Sequence, residues 1–193
     1  IVLTSHGLFT AQLMLSNQAL FKYKLVWVKS KATNFLNAKK QPLRKYEDVC
    51  VFYRNHNYQP TYNPQMTSGE PYNKGVRKSQ LTGSYGDFSA IEVRSDGRRY
   101  PSDVLPFKTA ESEGEVFHPT QKPVNLIEWL IKTYTNEGMV VLDSCLGSGS
   151  TAIACLNTNR FFIGIEADEK FFNISGIPLS IVILIIYWRR IRS

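Results

Sequence analysis

Residues 140–152, Val-Val-Leu-Asp-Ser-Cys-Leu-Gly-Ser-Gly-Ser-Thr-Ala, carry the densest chemistry in the chain. An apolar run ends in Asp143, and Gly147, Gly149 and Ala152 complete the spacing G-x-G-x-x-A. Glycine permits the tight turn and lets backbone amides approach a ligand closely. A second apolar run, 161–166, ends in Glu166, seventeen residues beyond Gly149. That is near the spacing at which a carboxylate binds a ribose. Strand, glycine turn, helix and acidic strand end together predict an adenosyl cofactor. A dinucleotide is the rival, but a carboxylate at Asp143 would repel a pyrophosphate. The cationic amino-acid end of S-adenosylmethionine suits that position better.

Upstream lies Phe117-His118-Pro119-Thr120-Gln121-Lys122-Pro123. Pro123 suits the first turn of a helix and Thr120 is a candidate cap; a plain loop-to-helix entry accounts for the segment equally well. Over 123–135, Val124, Ile127, Leu130 and Ile131 fall at helical spacing, and Gly138 ends the run. Strands are predicted at 140–143 and 161–166, with a helix at 151–157. This alternation implies a parallel sheet with helices on its faces. Nearer the start, 1–4 reads as the end of a buried strand and 10–17 as a short helix. Residues 21–28 and 47–53 read as strands. On 21–28 the period of two sends Phe21, Tyr23 and Leu25 inward, and Lys22 and Lys24 toward solvent or phosphate. Residues 29–44 form a basic, polar connection. Residues 54–115 contain Pro60, Pro64, Pro71, Pro101 and Pro106 and no convincing long helix. They form an irregular insert, too long for an ordinary loop. Its aromatics, Tyr58, Tyr62, Tyr72, Tyr85, Phe88, Tyr100 and Phe107, would build a small core or a contact surface.

A chain of 193 residues, 43% hydrophobic and 12% aromatic, supports one globular domain and excludes a disordered one. The net charge of +7 is unevenly spread: residues 1–60 carry nine Lys/Arg against two Asp/Glu. Such an excess suits a polyanion partner or a solvated basic surface. Cys50, Cys145 and Cys155 have no metal-ligand spacing, and an odd count is no disulfide framework, so a reducing cytoplasm is expected. The cysteines do not cluster with His6, His56 or His118, and no structural zinc is expected. Ile1–Leu3 is too short an apolar run for a signal peptide. The tail, 174–188, is mostly apolar and precedes Arg189, Arg190 and Arg192. As a helix it would span roughly 22 Å, short of a hydrocarbon core of roughly 30 Å. Gly176, Pro178 and Ser180 weaken it further. Tyr187 and Trp188 before the arginines resemble a membrane-interface flank, yet a buried helix or strand, or an aberrant chain end, is favoured over a membrane span.

Taken in order, these residues resemble the N-4/N-6 amino DNA methyltransferases. His-Pro-Thr-Gln-Lys-Pro before a helix, then a strand, Asp143, the Gly-Ser-Gly loop and Phe162-Ile163-Gly164-Ile165-Glu166 look like that family's motifs X, I and II, in the order of its β group. Residues 21–29 and 42–52 resemble the segments between its catalytic motif and its target-recognition region. The resemblance covers 1–53 and 116–173. It implies that Asp143, Gly147, Ser148 and Gly149 surround the methionine part of S-adenosylmethionine. Thr120 and Lys122 would help hold its carboxylate, and Glu166 would bond the ribose hydroxyls. Ser144 and Cys145 stand where the family often has Pro and Phe. The family's catalytic tetrapeptide, Asp- or Ser-Pro-Pro-Tyr (or Phe/Trp), occurs nowhere in the chain; its expected place is upstream of Ile1. In the implied mechanism a flipped base presents its amino group to that tetrapeptide and attacks the methyl directly. No cysteine nucleophile is needed.

The expected fold is therefore an α/β, Rossmann-like doubly wound methyltransferase sheet, circularly permuted and incomplete. Residues 1–53 would be part of the catalytic half and 54–115 a target-recognition insert. Residues 116–173 would be the cofactor half and 174–193 an atypical apolar tail with a basic end. The expected activity is site-specific methylation of adenine N6, ahead of cytosine N4, with the chain inactive by itself. The alternative is a non-catalytic DNA- or cofactor-binding remnant. Double-stranded DNA is the expected partner, gripped by Lys29, Lys31, Lys39, Lys40 and Arg44 in a loop beside the base cleft. A homodimer and a cognate restriction enzyme are further expected partners, and a membrane is not.

Overall fold

The computed structural model describes residues 1–54, 60–77, 91–174 and 182–187. His56, Tyr58, Tyr85, Phe88, Gly176, Pro178, Ser180, Trp188 and the terminal arginines lie outside the described residues.

The chain opens with β1 (Val2–Ser5), α1 (Leu8–Ser16), β2 (Phe21–Thr33) and β3 (Arg44–Phe52). Alternate residues of β2 and β3, Leu25, Trp27, Val49 and Val51, are buried in one core, as a half-covered sheet requires. The strand expected to stop at 28 continues to Thr33. Past Val28 the ladder is irregular and re-forms at the pair Thr33–Arg44, so much of the expected basic connection is a hairpin arm. Of the expected inward set, Leu25 is buried in that core, as is Trp27, and Tyr23 packs against it, while Phe21 meets the Phe52 ring edge-on at 5.5 Å. The outward lysines do not simply face solvent. Lys24 pairs with the buried Asp48 at 2.8 Å, and Lys22 donates to the Ala19 carbonyl at 2.9 Å. In the β2–β3 register Asp48 lies opposite Val26, which makes Lys24 its diagonal neighbour. Asp48 also accepts from the Thr10 hydroxyl at 2.8 Å, tying α1 to the sheet.

The middle of the chain holds β4 (Thr67–Ser68), β5 (Tyr72–Arg77), β6 (Ile91–Ser95), β7 (Arg98–Arg99) and β8 (Val104–Leu105). Pro64–Pro101 is a compact unit of its own, built on the antiparallel pairs β4–β7 and β5–β6. The flanks of the expected insert belong to the other unit. There β8 runs parallel to β2, and Asn63 donates to the Lys132 and Thr135 carbonyls at a helix end.

Then come α2 (Val124–Tyr134), β9 (Val140–Asp143), α3 (Ser150–Asn157), β10 (Phe161–Glu166), α4 (Glu169–Ile174) and β11 (Val182–Tyr187). Strands β9, β10 and β11 form a parallel sheet with β10 central; β1, β3, β2 and β8 form a mixed one. The tail thus enters the structure as a strand. Among the described residues no helix is long and apolar enough to cross a membrane. Among the described residues the two sheets share no strand pairing. Helix α2 joins their cores: Leu126 and Leu130 pack on the mixed sheet, Ile131 on the parallel one, and Ile127 against both. The expected cap at Thr120 is not made. Glu113 caps α2 instead, its carboxylate accepting from the Val124 and Asn125 amides at 2.5 and 3.1 Å. A negative charge there also suits the positive end of the helix dipole.

Candidate cofactor-binding site

Parallel strands β9 and β10 end side by side, with Asp143 paired to Gly164 in the register. Ligands of open α/β sheets bind beyond such carboxyl ends. Between them runs the turn 144–149, in which Gly147 (φ +56°) and Gly149 (φ +86°) both adopt the left-handed conformation. Gly149 then opens α3.

Two carboxylates fix this turn. Asp143 accepts from the Cys145 amide at 2.9 Å and from the Thr151 hydroxyl at 2.6 Å. Glu166 accepts the Gly147 amide at 2.7 Å, and the Ala167 and Asp168 amides at 2.8 Å each. A carboxylate has about four acceptor sites, so Glu166 keeps capacity for one more donor. The expected pair of acidic strand ends is thereby brought to one turn, with Ser148 half-buried inside it.

His118 stands over the turn. A methyl on Gly147 would lie 3.7 Å from the His118 ring, ordinary contact distance. The ring packs edge-on against Phe171 at 4.2 Å between centroids. Its Nδ1 lies 3.1 Å from the Thr120 amide and 3.0 Å from the Thr120 hydroxyl. Thr120 therefore orients His118. Phe171 is a wall that the sequence reading missed; an aromatic one turn past an acidic strand end was the available signal.

Lys122 is drawn elsewhere. Its ammonium donates to the Thr120 carbonyl at 3.2 Å and pairs with Glu47 at 3.2 Å. Glu47 also holds Lys29 at 2.6 Å. Burial raises the Glu47 pKa, but Lys29 and Lys122 outweigh it and leave the carboxyl below its ordinary range. Lys29, with a side chain only 11% exposed, stacks its ammonium 5.2 Å from the Trp27 ring. The other basic residues of the expected DNA set, Lys31, Lys39, Lys40 and Arg44, are exposed along the hairpin and its tip. Of the cysteines, Cys50 and Cys155 are buried. Burial, reinforced by Asp143, pushes the Cys155 thiol up to about 12, so it stays protonated and packs as an apolar group.

The DNA methylase family, of N6/N4 type, matches residues 4–176. Among curated relatives, type II methyltransferase M.HindIII of Haemophilus influenzae is 30% identical over 83% of this chain and 55% of its own length. Type II methyltransferase M.BglII of Bacillus subtilis is 28% identical over 81% of this chain and 41% of its own. The chain thus spans about half the length of these relatives. Among solved structures, the M1.HpyAVI–SAM complex superposes with a TM-score of 0.61 at 23% identity. It covers 90% of this chain and 71% of that one. The cytosine-N4-specific PvuII DNA methyltransferase superposes at 0.52 and 13% identity, covering 90% of this chain and 57% of its own. These neighbours share the methyltransferase fold, and the match over 4–176 makes the chain a member of the N6/N4 DNA methylase family.

Proposed function

We propose that this chain is the cofactor-binding and DNA-gripping part of a site-specific DNA methyltransferase. It would use S-adenosylmethionine to methylate an exocyclic amino group, adenine N6 before cytosine N4. The observation that carries the reading is the pair Asp143 and Glu166, at adjacent parallel strand ends, fixing one glycine turn through the Cys145 amide at 2.9 Å and the Gly147 amide at 2.7 Å respectively. The residues fit the cofactor. Gly147 and Gly149 keep side chains out of the turn, Phe171 supplies an aromatic wall, and Glu166 has an acceptor site left for a ribose hydroxyl. Asp143 offers negative charge to the cationic amino-acid end, with Ser148 and Gly149 lining the turn. S-adenosylmethionine, when bound, supplies an electrophilic methyl.

Lys122 is held by Glu47 and the Thr120 carbonyl, so to meet the carboxylate end of the cofactor together with Thr120 its ammonium would have to leave Glu47. Lys31, Lys39, Lys40 and Arg44 would meet phosphates, with Lys29 acting through Trp27 and Glu47. Residues 54–115, centred on the separate unit, would read the target. The grip on the acceptor amino group needs the family's Pro-Pro-aromatic tetrapeptide, which is absent from these 193 residues. The rival reading is a binding remnant without activity.

The test is calorimetric. The chain should bind S-adenosylmethionine, and Glu166→Ala should weaken binding by about 1–3 kcal/mol through unsatisfied partners. Unchanged affinity would sink the ribose assignment. Labelled cofactor and duplex DNA should give no transfer with the 193 residues alone. Transfer should appear when a tetrapeptide-bearing segment from a relative is joined ahead of Ile1, and product analysis then separates N6-methyladenine from N4-methylcytosine. Cofactor binding with no transfer in the joined protein would favour the remnant.

A further inference from the structure

The β2–β3 hairpin ends in a built tip that leaves two large apolar side chains in water. Asn34 adopts the left-handed conformation (φ +69°), and the Asn37 amide group donates to its side-chain oxygen at 2.7 Å. A short 3-10 turn, Phe35–Asn37, follows, and the Lys40 and Gln41 amides close on the Asn37 carbonyl at 2.9 and 3.0 Å. On this turn Phe35 is 74% exposed and Leu36 84%. Neither belongs to either core. A hairpin this ordered could have carried polar residues at its apex at no packing cost.

Charge surrounds the pair. Lys39, Lys40, Arg44 and Lys45 are exposed, and no ion pair engages them among the described residues. The chain has no acidic residue before Glu47. An aromatic and an aliphatic side chain on a rigid tip, ringed by cations, match a polyanion with a stack of flat apolar faces inside. Duplex DNA is that partner: apolar wedges enter base steps while Lys and Arg hold the flanking phosphates.

We propose that Phe35 and Leu36 form a wedge that enters a base step of duplex DNA, anchored on phosphates by Lys39, Lys40, Arg44 and Lys45. The proposal rests on the DNA-methyltransferase reading and adds how the hairpin engages its substrate. The wedge opens the stack locally and leaves chemistry to other groups, so Phe35 and Leu36 are positioning residues.

The experiment uses the 193-residue chain and duplexes of about thirty base pairs carrying 2-aminopurine at successive positions, whose emission rises on unstacking. The wild-type chain should bind with a steep salt dependence and raise emission. Phe35→Ser with Leu36→Ser should abolish the rise and weaken binding roughly tenfold, the scale of one lost base–aromatic stack, while leaving the salt slope intact. Both side chains are solvent-exposed, so this variant should fold as the wild type does. Lys39→Gln with Lys40→Gln should lower the slope by about two units and retain the rise at saturating protein. Phe35→Trp should restore the rise to a Phe35→Ser protein. A rise that survives the double serine change would overturn the wedge while leaving DNA binding established. Absence of salt-dependent duplex binding would overturn the DNA reading with it. Binding to anionic phospholipid vesicles that the serine changes abolish, with duplex binding unaffected, would assign the tip to a membrane surface and overturn the wedge.

Discussion

Gly147 and Gly164 sit on either side of the cofactor turn and are glycine for different reasons. Gly147 needs its left-handed backbone; a methyl there meets nothing closer than 3.7 Å. Gly164 has no such torsion, but a methyl on it would lie 2.6 and 2.8 Å from ring atoms of Phe162, a fully buried core residue. Gly147→Ala should therefore cost about 1–2 kcal/mol of conformational strain, and Gly147→Asn less, because Asn tolerates that region. Gly164→Ala should cost about 1–3 kcal/mol through overpacking, and Gly164→Asn more. Urea melts of the four variants check the crossover; Asn behaving alike at both sites would show that one cause governs both. Gly147 was legible from spacing alone, as was Glu166. Gly164 was not, because its requirement comes from the ring two residues before it on the same strand face. Phe171 offered only its place one turn past an acidic strand end, and the folded turn is what brings it to His118.

At the scale of elements, the hairpin register explains which carboxylates the strand lysines meet. Glu47 lies opposite Trp27, so Lys29 is its diagonal neighbour, the same relation that joins Lys24 to Asp48. Sequence alternation gives the face of a strand but not which carboxylate crosses from the next strand. It likewise gave the existence of α2 while missing Glu113, its cap eleven residues upstream of Val124. Through Lys122, Glu47 also ties the hairpin to the segment entering α2. Its folded-state pKa is depressed, so it contributes stability above the ordinary glutamate pKa, about 4.3, and loses that contribution as pH falls through the lower folded value. Glu47→Gln should be less stable than the wild type at neutral pH, and the difference should shrink on acidification below about pH 4. Urea midpoints measured across that range test it; a constant difference would mean that the two lysines contribute no net charge stabilisation.

At the scale of the whole molecule, residues 118–173 were legible as alternating elements on a parallel sheet, and they follow that plan closely because their signals are local, whereas the opening strands pair mostly antiparallel. The middle was harder to read. Its strands are short and paired over distance, and its boundaries are set by contacts such as those of Asn63 and β8 rather than by composition. Those two contacts carry a consequence for how specificity can change over evolutionary time. The Asn63 amide bonds the Thr133 carbonyl at 2.8 Å, and the Asp103 carbonyl accepts the Val26 amide at 2.7 Å, so the residues flanking Pro64–Pro101 are held within the larger unit. A segment bounded in this way can be exchanged whole, and under the proposed reading of it as the target reader, new targets could be acquired by recombination without disturbing the turn 144–149. Replacing 64–101 with a Gly/Ser linker of about ten residues, a flexible coil that imposes no geometry, should leave a cooperative unfolding transition and unchanged affinity for S-adenosylmethionine. Loss of either would mean that the segment is part of the folding core, and that its lineage could diversify only by single substitutions.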